Sequence, residues 1–484
     1  MKVMTIGCLL AAGAALAAPQ ADELARENAH TEGKTVIAGK GNVQIALDRA
    51  DAQYSCGEEA VFTITVGETH LGEAASRRFR AEGNISCRSG GTPLPPGVPT
   101  PLPQGKVSWT LDNYGAHVFG KGTVDLAKEN PFVVKGTLAY PGFLRVTVRD
   151  DRGKQLRQYS AAYEPEKIRT AVPKPADFDA FWDGAVARLE KEVPLDPQVE
   201  PVPSLTRNGL TVCRVSFATF GGRVYGALSY PTKADEGPYP VRVFCPGAGP
   251  GWTLGGCRGK KGEISLYMSV HGFPLPETDA ERKAQYEKQE AKYRAIHGPN
   301  RARAYPVGGL TVSREAAHYF SVILGINRAV DWVAKRPDAD LTHFTYSGAS
   351  QGGGFGLYLC GLNRHFTRAY IGVPALADVL SCKVDGRQSG WPRILEYETQ
   401  TDPERLARIV ANAPYIDGAY FAERITIPVR LSVGYADESC APHAVCAAYN
   451  AIPSKDKKLY HGIGGLHSSR NAPREEVNKW LEEK

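Results

Sequence analysis

The nonapeptide Tyr346-Ser347-Gly348-Ala349-Ser350-Gln351-Gly352-Gly353-Gly354 limits what this chain can fold into more than any other stretch. Ahead of it lies Thr342-His343-Phe344-Thr345, a β-prone run, and behind it Phe355-Gly356-Leu357-Tyr358-Leu359-Cys360, a small apolar helix candidate. A strand, a tight turn and a helix are expected in that order, with Gly348-x-Ser350-x-Gly352 at the bend. In such an elbow a serine sits on a strained turn with its hydroxyl exposed above a sheet. Glycines flank it because strand and helix backbones approach too closely for a Cβ. A serine hydroxyl alone is a poor nucleophile, so a base and an orienting acid must come from elsewhere in the chain.

Around the elbow, β-type runs alternate with helical stretches: 212–217, 224–230, 241–245, 264–270, the elbow strand, 368–373, 428–433 and 458–460, with a helix expected over 314–335. This alternation predicts a doubly wound, mostly parallel α/β sheet, whose active groups gather beyond the carboxyl ends of its strands. An apolar face made by Phe178, Phe181, Trp182, Val186 and Leu189 opens the region as a helix, with Asp177 as its expected cap. The run Pro276 to Arg303, dense in Glu, Lys, Arg and Tyr, interrupts the pattern. It reads as an inserted surface helix plus loop, with a lid or rim for the site as the sharper alternative.

Upstream, short β-type runs at 43–47, 60–66, 106–111, 132–140 and 143–148 are separated by turns and by the Pro-rich loop from Gly91 to Pro96. Strands at this spacing without long helices predict an all-β sandwich of immunoglobulin-like type. Trp109 and Tyr114 are its candidates for stacking on sugar, although a tryptophan there also suits a core. Prolines 165, 173 and 175 punctuate the boundary. The expected division is a leader at 1–18, the β domain at 19–165 and the α/β domain at 166–484.

The leader reading comes from Lys2 followed by an apolar run from Val3 to Leu16 and then Ala17 and Ala18, the pattern of a cleavable secretory signal. A lipid anchor at Cys8 would leave almost no apolar segment ahead of it. No later run approaches the roughly 18 uninterrupted apolar residues of a membrane span. A net charge of +6 over 484 residues, without a dense Lys/Arg block, gives no ground for a nucleic-acid reading, and none is expected. Export permits disulfides, but spacing assigns none among Cys56, Cys87, Cys440, Cys446 and the rest. The cysteines form no CxxC pair with histidines at zinc spacing, so neither a metal site nor a cofactor is expected.

Acid and base are sought after the serine, the order Ser, acid, His being that of the α/β-hydrolase fold. Leu431-Ser432-Val433-Gly434-Tyr435-Ala436-Asp437 reads as a buried strand ending in a carboxylate, and Lys458-Leu459-Tyr460 opens into the loop that carries His461 and His467. Asp437 and His467 can converge on Ser350 from those strand ends. Glu438 is one step further round its turn, and His461 is still next to its strand, with poorer reach. His318 and His343 precede the elbow and suit packing or surface roles. Acyl transfer by a serine also needs N–H donors for an oxyanion. The backbone N–H of Gln351 is the first candidate, and that of Ala248, in the glycine-rich turn Pro246-Gly247-Ala248-Gly249, is the second.

With these residues in place, the chain from about Val172 to its end resembles the acetyl xylan esterase and cephalosporin-C deacetylase family of serine esterases. The resemblance is carried by Gly348-Ala349-Ser350-Gln351-Gly352-Gly353, Arg328-Ala329-Val330-Asp331, Gly434-Tyr435-Ala436-Asp437 running into Cys440-Ala441-Pro442, Ala447-Ala448-Tyr449-Asn450, and the opening Ala176-Asp177-Phe178-Asp179-Ala180-Phe181-Trp182. It implies deacetylation of acetylated carbohydrate, without a cofactor, with Ser350, Asp437 and His467 as the triad. It also resembles secreted bacterial members that carry a β-sandwich ahead of the esterase domain. Two departures stand out: His271-Gly272-Phe273-Pro274 occupies the place of the family's usual Arg-Gly-Gln-Gly, and Ser468 follows His467 where the family usually has Glu.

Overall fold

In a computed structural model describing residues 30–31, 34–38, 43–67, 105–206, 208–233, 237–257, 259–297, 305–383, 386–395, 402–468 and 471–483, the chain forms two compact units that meet in sequence at Pro165 and Glu166. Residues 1–18, the expected leader, lie outside those described.

The unit Pro19–Pro165 holds two five-stranded sheets. One runs His30–Thr31, Lys34–Ala38, Val43–Leu47, Glu59–Val66, Phe132–Thr137, with every neighbour antiparallel. The other runs Gln53–Tyr54, Gln155–Tyr163, Gly142–Arg149, Lys106–Asp112, Val118–Asp125, antiparallel apart from the first pair. Strict alternation along Glu59–Val66 buries Phe62 and Ile64 on one face, the period-2 signature of a half-covered strand. Val118–Asp125 has no such signature because none of its residues is fully buried. Its Gly120 and Gly122 leave room for the Trp109 indole to lie across it, and a Cβ at Gly122 would stand 2.7 Å from Trp109 Nε1. Tyr114 is buried beneath the Arg145 guanidinium, 4.3 Å from its ring centroid, and offers no face to a ligand.

The unit Glu166–Lys484 is built on nine strands: β1 (Gln198–Pro201), β2 (Leu210–Thr219), β3 (Gly222–Pro231), β4 (Tyr239–Phe244), β5 (Ile264–Met268), β6 (Ala339–Ala349), β7 (Arg368–Gly372), β8 (Val429–Gly434) and β9 (Lys457–Gly462). Their order is β1-β2-β3-β5-β4-β6-β7-β8-β9. Pairs from β1 to β5 along that order are antiparallel, and those from β5 to β9 parallel. A two-residue turn through Gly221, at φ 69°, makes the β2–β3 hairpin. Central β5 is buried on both faces and reads as five consecutive buried residues, whereas β9 at the sheet edge keeps two exposed ones.

Helix α1 (Phe178–Glu192) buries Phe178, Trp182, Ala185 and Leu189. Asp177 does not cap it: its carboxylate instead takes the Tyr415 hydroxyl and the Arg314 guanidinium, because two stronger donors reach it from distant segments. The expected surface insertion is helix α2 (Asp279–His297). Helix α3 (His318–Ala334) is buried over most of its length, and its Arg328 ties down Ala218 O (2.9 Å) and Val193 O (3.0 Å). Helix α4 (Gln351–Leu362) follows β6. Among the described residues, Cys56, Cys213, Cys245, Cys257, Cys360, Cys382, Cys440 and Cys446 are unbridged, while Cys87 lies outside them. No described helix is long and apolar enough to cross a membrane.

Candidate active site

Three strand ends supply three side chains. Ser350 turns the chain from β6 into α4 at φ 59° and ψ −125°, a left-handed backbone that costs a non-glycine residue about 1–3 kcal/mol. Hydrogen bonds hold it there: Ser350 N–H donates to Gly372 O (3.0 Å), and Ser350 O accepts from Gly354 N–H (3.0 Å) and Ala375 N–H (2.9 Å). The flanking glycines admit no side chain. A Cβ at Gly348 would lie 2.5 Å from Gly352 O, and one at Gly352 2.3 Å from Cys245 O.

Asp437, just past β8, is fully buried, and its Oδ1 accepts N–H bonds from Ser439 (2.8 Å) and Cys440 (2.9 Å). Its Oδ2 lies 2.8 Å from His467 Nδ1, and His467 Nε2 lies 2.9 Å from Ser350 Oγ. With Nδ1–H donated to the carboxylate, Nε2 carries the lone pair and accepts the hydroxyl hydrogen. Burial disfavours a charge on His467, but the hydrogen-bonded Asp437 carboxylate favours the imidazolium, and its pKa is raised above the ordinary histidine value. Burial raises the Cys440 pKa too, which keeps it a neutral thiol. Of the competing residues, Glu438 is exposed and His461 pairs its Nδ1 with Tyr435 Oη at 2.8 Å. His318 holds Val270 O at 2.9 Å, and His343 is buried 3.9 Å from Asp340.

Asp437, Cys440 and His467 each present a ligand-type atom within 4.8 Å of the others. Two of them are already joined by the 2.8 Å hydrogen bond and the third keeps its proton, so the set fits proton transfer better than a cation.

Gln351 opens α4, so its N–H has no intrahelical acceptor. Its fully buried side chain reaches the turn after β4: Nε2 donates to Pro246 O (3.4 Å) and Gly247 O (3.3 Å). Oε1 accepts the Tyr305 hydroxyl (2.7 Å) and the Tyr319 hydroxyl (2.9 Å). Ala248 sits half-buried in that same turn. Sequence reasoning did not find Tyr305, Tyr319 or the Gln351 side chain, because a buried hydroxyl or amide leaves no periodic trace. The only available signal for this region was the departure at His271.

Residues 162–484 match the family described as acetyl xylan esterase (AXE1). An acetyl esterase named Axe7A from Xylanibacter ruminicola is 29% identical over 343 residues, covering 70% of this chain and 74% of that protein. An acetyl xylan esterase from Paenibacillus sp. R4 superposes with a TM-score of 0.53 at 23% identity, over 66% of this chain and 98% of that one. Acetyl xylan esterase 1 from Thermoanaerobacterium sp. JW/SL YS485 gives 0.52 at 21% identity, over 66% and 96%. At these identities the two structures speak for a shared α/β-hydrolase fold.

Proposed function

The chain belongs to the acetyl xylan esterase family, and on that premise we propose that it is a secreted serine esterase removing O-acetyl groups from acetylated poly- or oligosaccharides. The observation that carries this reading is the imidazole of His467, 2.9 Å from the Ser350 hydroxyl on one side and 2.8 Å from the buried Asp437 carboxylate on the other. Ser350 Oγ attacks the acetyl carbonyl carbon as its proton passes to His467 Nε2. The carbonyl oxygen becomes an oxyanion facing the N–H groups of Gln351 and Ala248. The C–O bond to the sugar then breaks, and Nε2 returns the proton to the departing sugar oxygen. A water, deprotonated by Nε2, attacks the acyl-enzyme, releasing acetate and restoring the Ser350 hydroxyl. Asp437 holds the tautomer throughout and stabilises the imidazolium. No cofactor enters these steps.

In the same reading, residues 1–18 are a leader removed on export, 19–165 an immunoglobulin-like sandwich and 166–484 the catalytic domain. The break between compact units at Pro165 supports that division, and the two five-stranded sheets support the sandwich.

The test is acetate release from acetylated xylan, with p-nitrophenyl acetate as a second substrate. Ser350→Ala is expected to keep its circular dichroism and to lose at least about a thousandfold in kcat. Release of a different acyl or methyl group from glycans, and not acetate, would change the substrate. No turnover of any ester by the unaltered protein would point to a carbohydrate-binding scaffold.

A further inference from the structure

The turn Pro246 to Gly251 is gripped from two directions. Gln351 holds it from the elbow side, as described. On the other side His271, fully buried, has Nε2 2.7 Å from Gly249 O and Nδ1 2.7 Å from Gln289 Nε2. An amide nitrogen only donates, so Nδ1 is the acceptor and the ring proton sits on Nε2, where it is given to Gly249 O. Gln289 therefore dictates the tautomer that lets His271 hold the turn. Phe273, Tyr286 and Tyr305 enclose the imidazole at centroid distances of 5.2, 5.6 and 5.1 Å. Burial lowers its pKa to about 4, which keeps the ring neutral at working pH. Two residues further along the turn, Gly251 O accepts from Arg282 Nη1 at 2.9 Å.

Gln289 and Arg282 both belong to α2, two helical turns apart and so on one face. The turn has little stiffness of its own, with Gly249 at φ 118° and Gly251 at φ 75°. Its position is set by what holds its carbonyls, together with the long bond from Gly249 N–H to Tyr305 Oη (3.5 Å).

We propose that the inserted helix α2 is a positioning element for the active site: through Gln289 and His271 on Gly249 O, and Arg282 on Gly251 O, it aims the Ala248 N–H at the oxyanion. The inference rests on the reading of Ser350 as nucleophile. It makes the insertion a brace for the turn: its bonds run to the carbonyls one and three residues past Ala248, while Gln351 holds the carbonyls on the near side. Losing an oxyanion donor outright costs about 10²–10³ in kcat, and a donor displaced by a fraction of an ångström costs less but still registers.

The test uses the full mature chain carrying Gln289→Leu, Arg282→Met, or both. Active sites are counted by titration with a fluorophosphonate, and kcat, KM and inhibition by methylboronic acid, which forms a tetrahedral adduct on serine, are measured per site. For Gln289→Leu the expectation is a fall in kcat of about tenfold, an equal loss of boronate affinity, and KM within about twofold. A merely structural helix would lower the titrated fraction and the melting temperature while leaving kcat per site alone. If Gln289→Leu does not fold, Arg282→Met, which removes the bond to Gly251 O and an exposed i,i+3 ion pair to Asp279, gives the same comparison. A double variant with wild-type kcat per site and wild-type boronate affinity overturns the proposal. Full activity in Ser350→Ala would instead overturn the nucleophile reading beneath it.

Discussion

The buried carboxylate of Asp417 accepts the backbone N–H of Asp378 at 2.9 Å, and those of Val379 and Ala419 at 2.9 Å each. It thereby pins the segment after β7, where Val373, Leu376 and Asp378 all adopt positive φ (36°, 61° and 47°) and where Ala375 N–H supports Ser350 O. The Asp378 carboxylate in turn accepts Ala171 N–H at 2.8 Å, with Arg387 3.9 Å away. Burial, then the neighbouring Asp378 charge, push Asp417 up to about 7, while burial raises Asp378 to about 6 against the pull of Arg387.

Both acids hold their protons more tightly folded than unfolded. Folding therefore takes up protons between the ordinary carboxylate range, about pH 4, and about pH 7, so their contribution to stability falls as pH rises through that window and is flat above it. Asp378→Asn removes one of the two charges and is expected to flatten that fall relative to the unaltered protein. Denaturant midpoints measured from pH 4 to 8 check it, and identical slopes would rule the pair out as the source.

Asp437→Asn keeps the side-chain shape but loses the acceptor that orients His467. By analogy with the same change in other serine hydrolases, kcat is expected to fall by about 10⁴. The base must be neutral to work, and its pKa is raised in this site, so the acid limb of the unaltered enzyme lies above that of a free histidine. Removing the carboxylate should move the limb of the residual activity to lower pH. Profiles of kcat/KM against pH decide it, and an unmoved limb would deny Asp437 that role.

Gly352→Ala gains helix propensity of about 1 kcal/mol but places its Cβ 2.3 Å from the Cys245 carbonyl oxygen. That neighbour is backbone and cannot rotate away, so overpacking of about 1–3 kcal/mol should win. A lower melting temperature and weaker boronate binding are expected together, since the displaced atoms connect the elbow to the turn bearing Ala248.

Arg328→Lys retains the charge and loses the fork that reaches Ala218 O and Val193 O together. One half-buried carbonyl loses its donor, for a loss of about 1 kcal/mol in unfolding free energy. Urea titration reads it, and kcat per folded molecule should stay unchanged because neither carbonyl borders Ser350.

Much of the fold was legible along the chain. Apart from Gln198–Pro201, the strands of the C-terminal unit were expected within a few residues of where they lie, because each is a β-prone run bounded by turn residues. Gln198–Pro201 was missed since all four of its residues are exposed, and Val118–Asp125 since its glycines serve the Trp109 indole. Asp177 has the composition of a cap, yet Arg314 and Tyr415 arrive from far along the chain and take its carboxylate.

The candidate site divides in the same way. A bend at Ser350, with glycines on either side, is a local steric demand, and positions for Asp437 and His467 just past strands follow from hydrophobic runs ending in turns. Those are properties of neighbours in sequence, so residue order alone determines them. The hold of Gln351 on Gly247 O, the passage from Gln289 through His271 to Gly249 O, and the burial that shifts Asp417 were decided only when the whole sheet packed. A hydrogen bond or a desolvated charge between distant residues depends on where the backbone carries them, and no period or spacing in the chain encodes that distance.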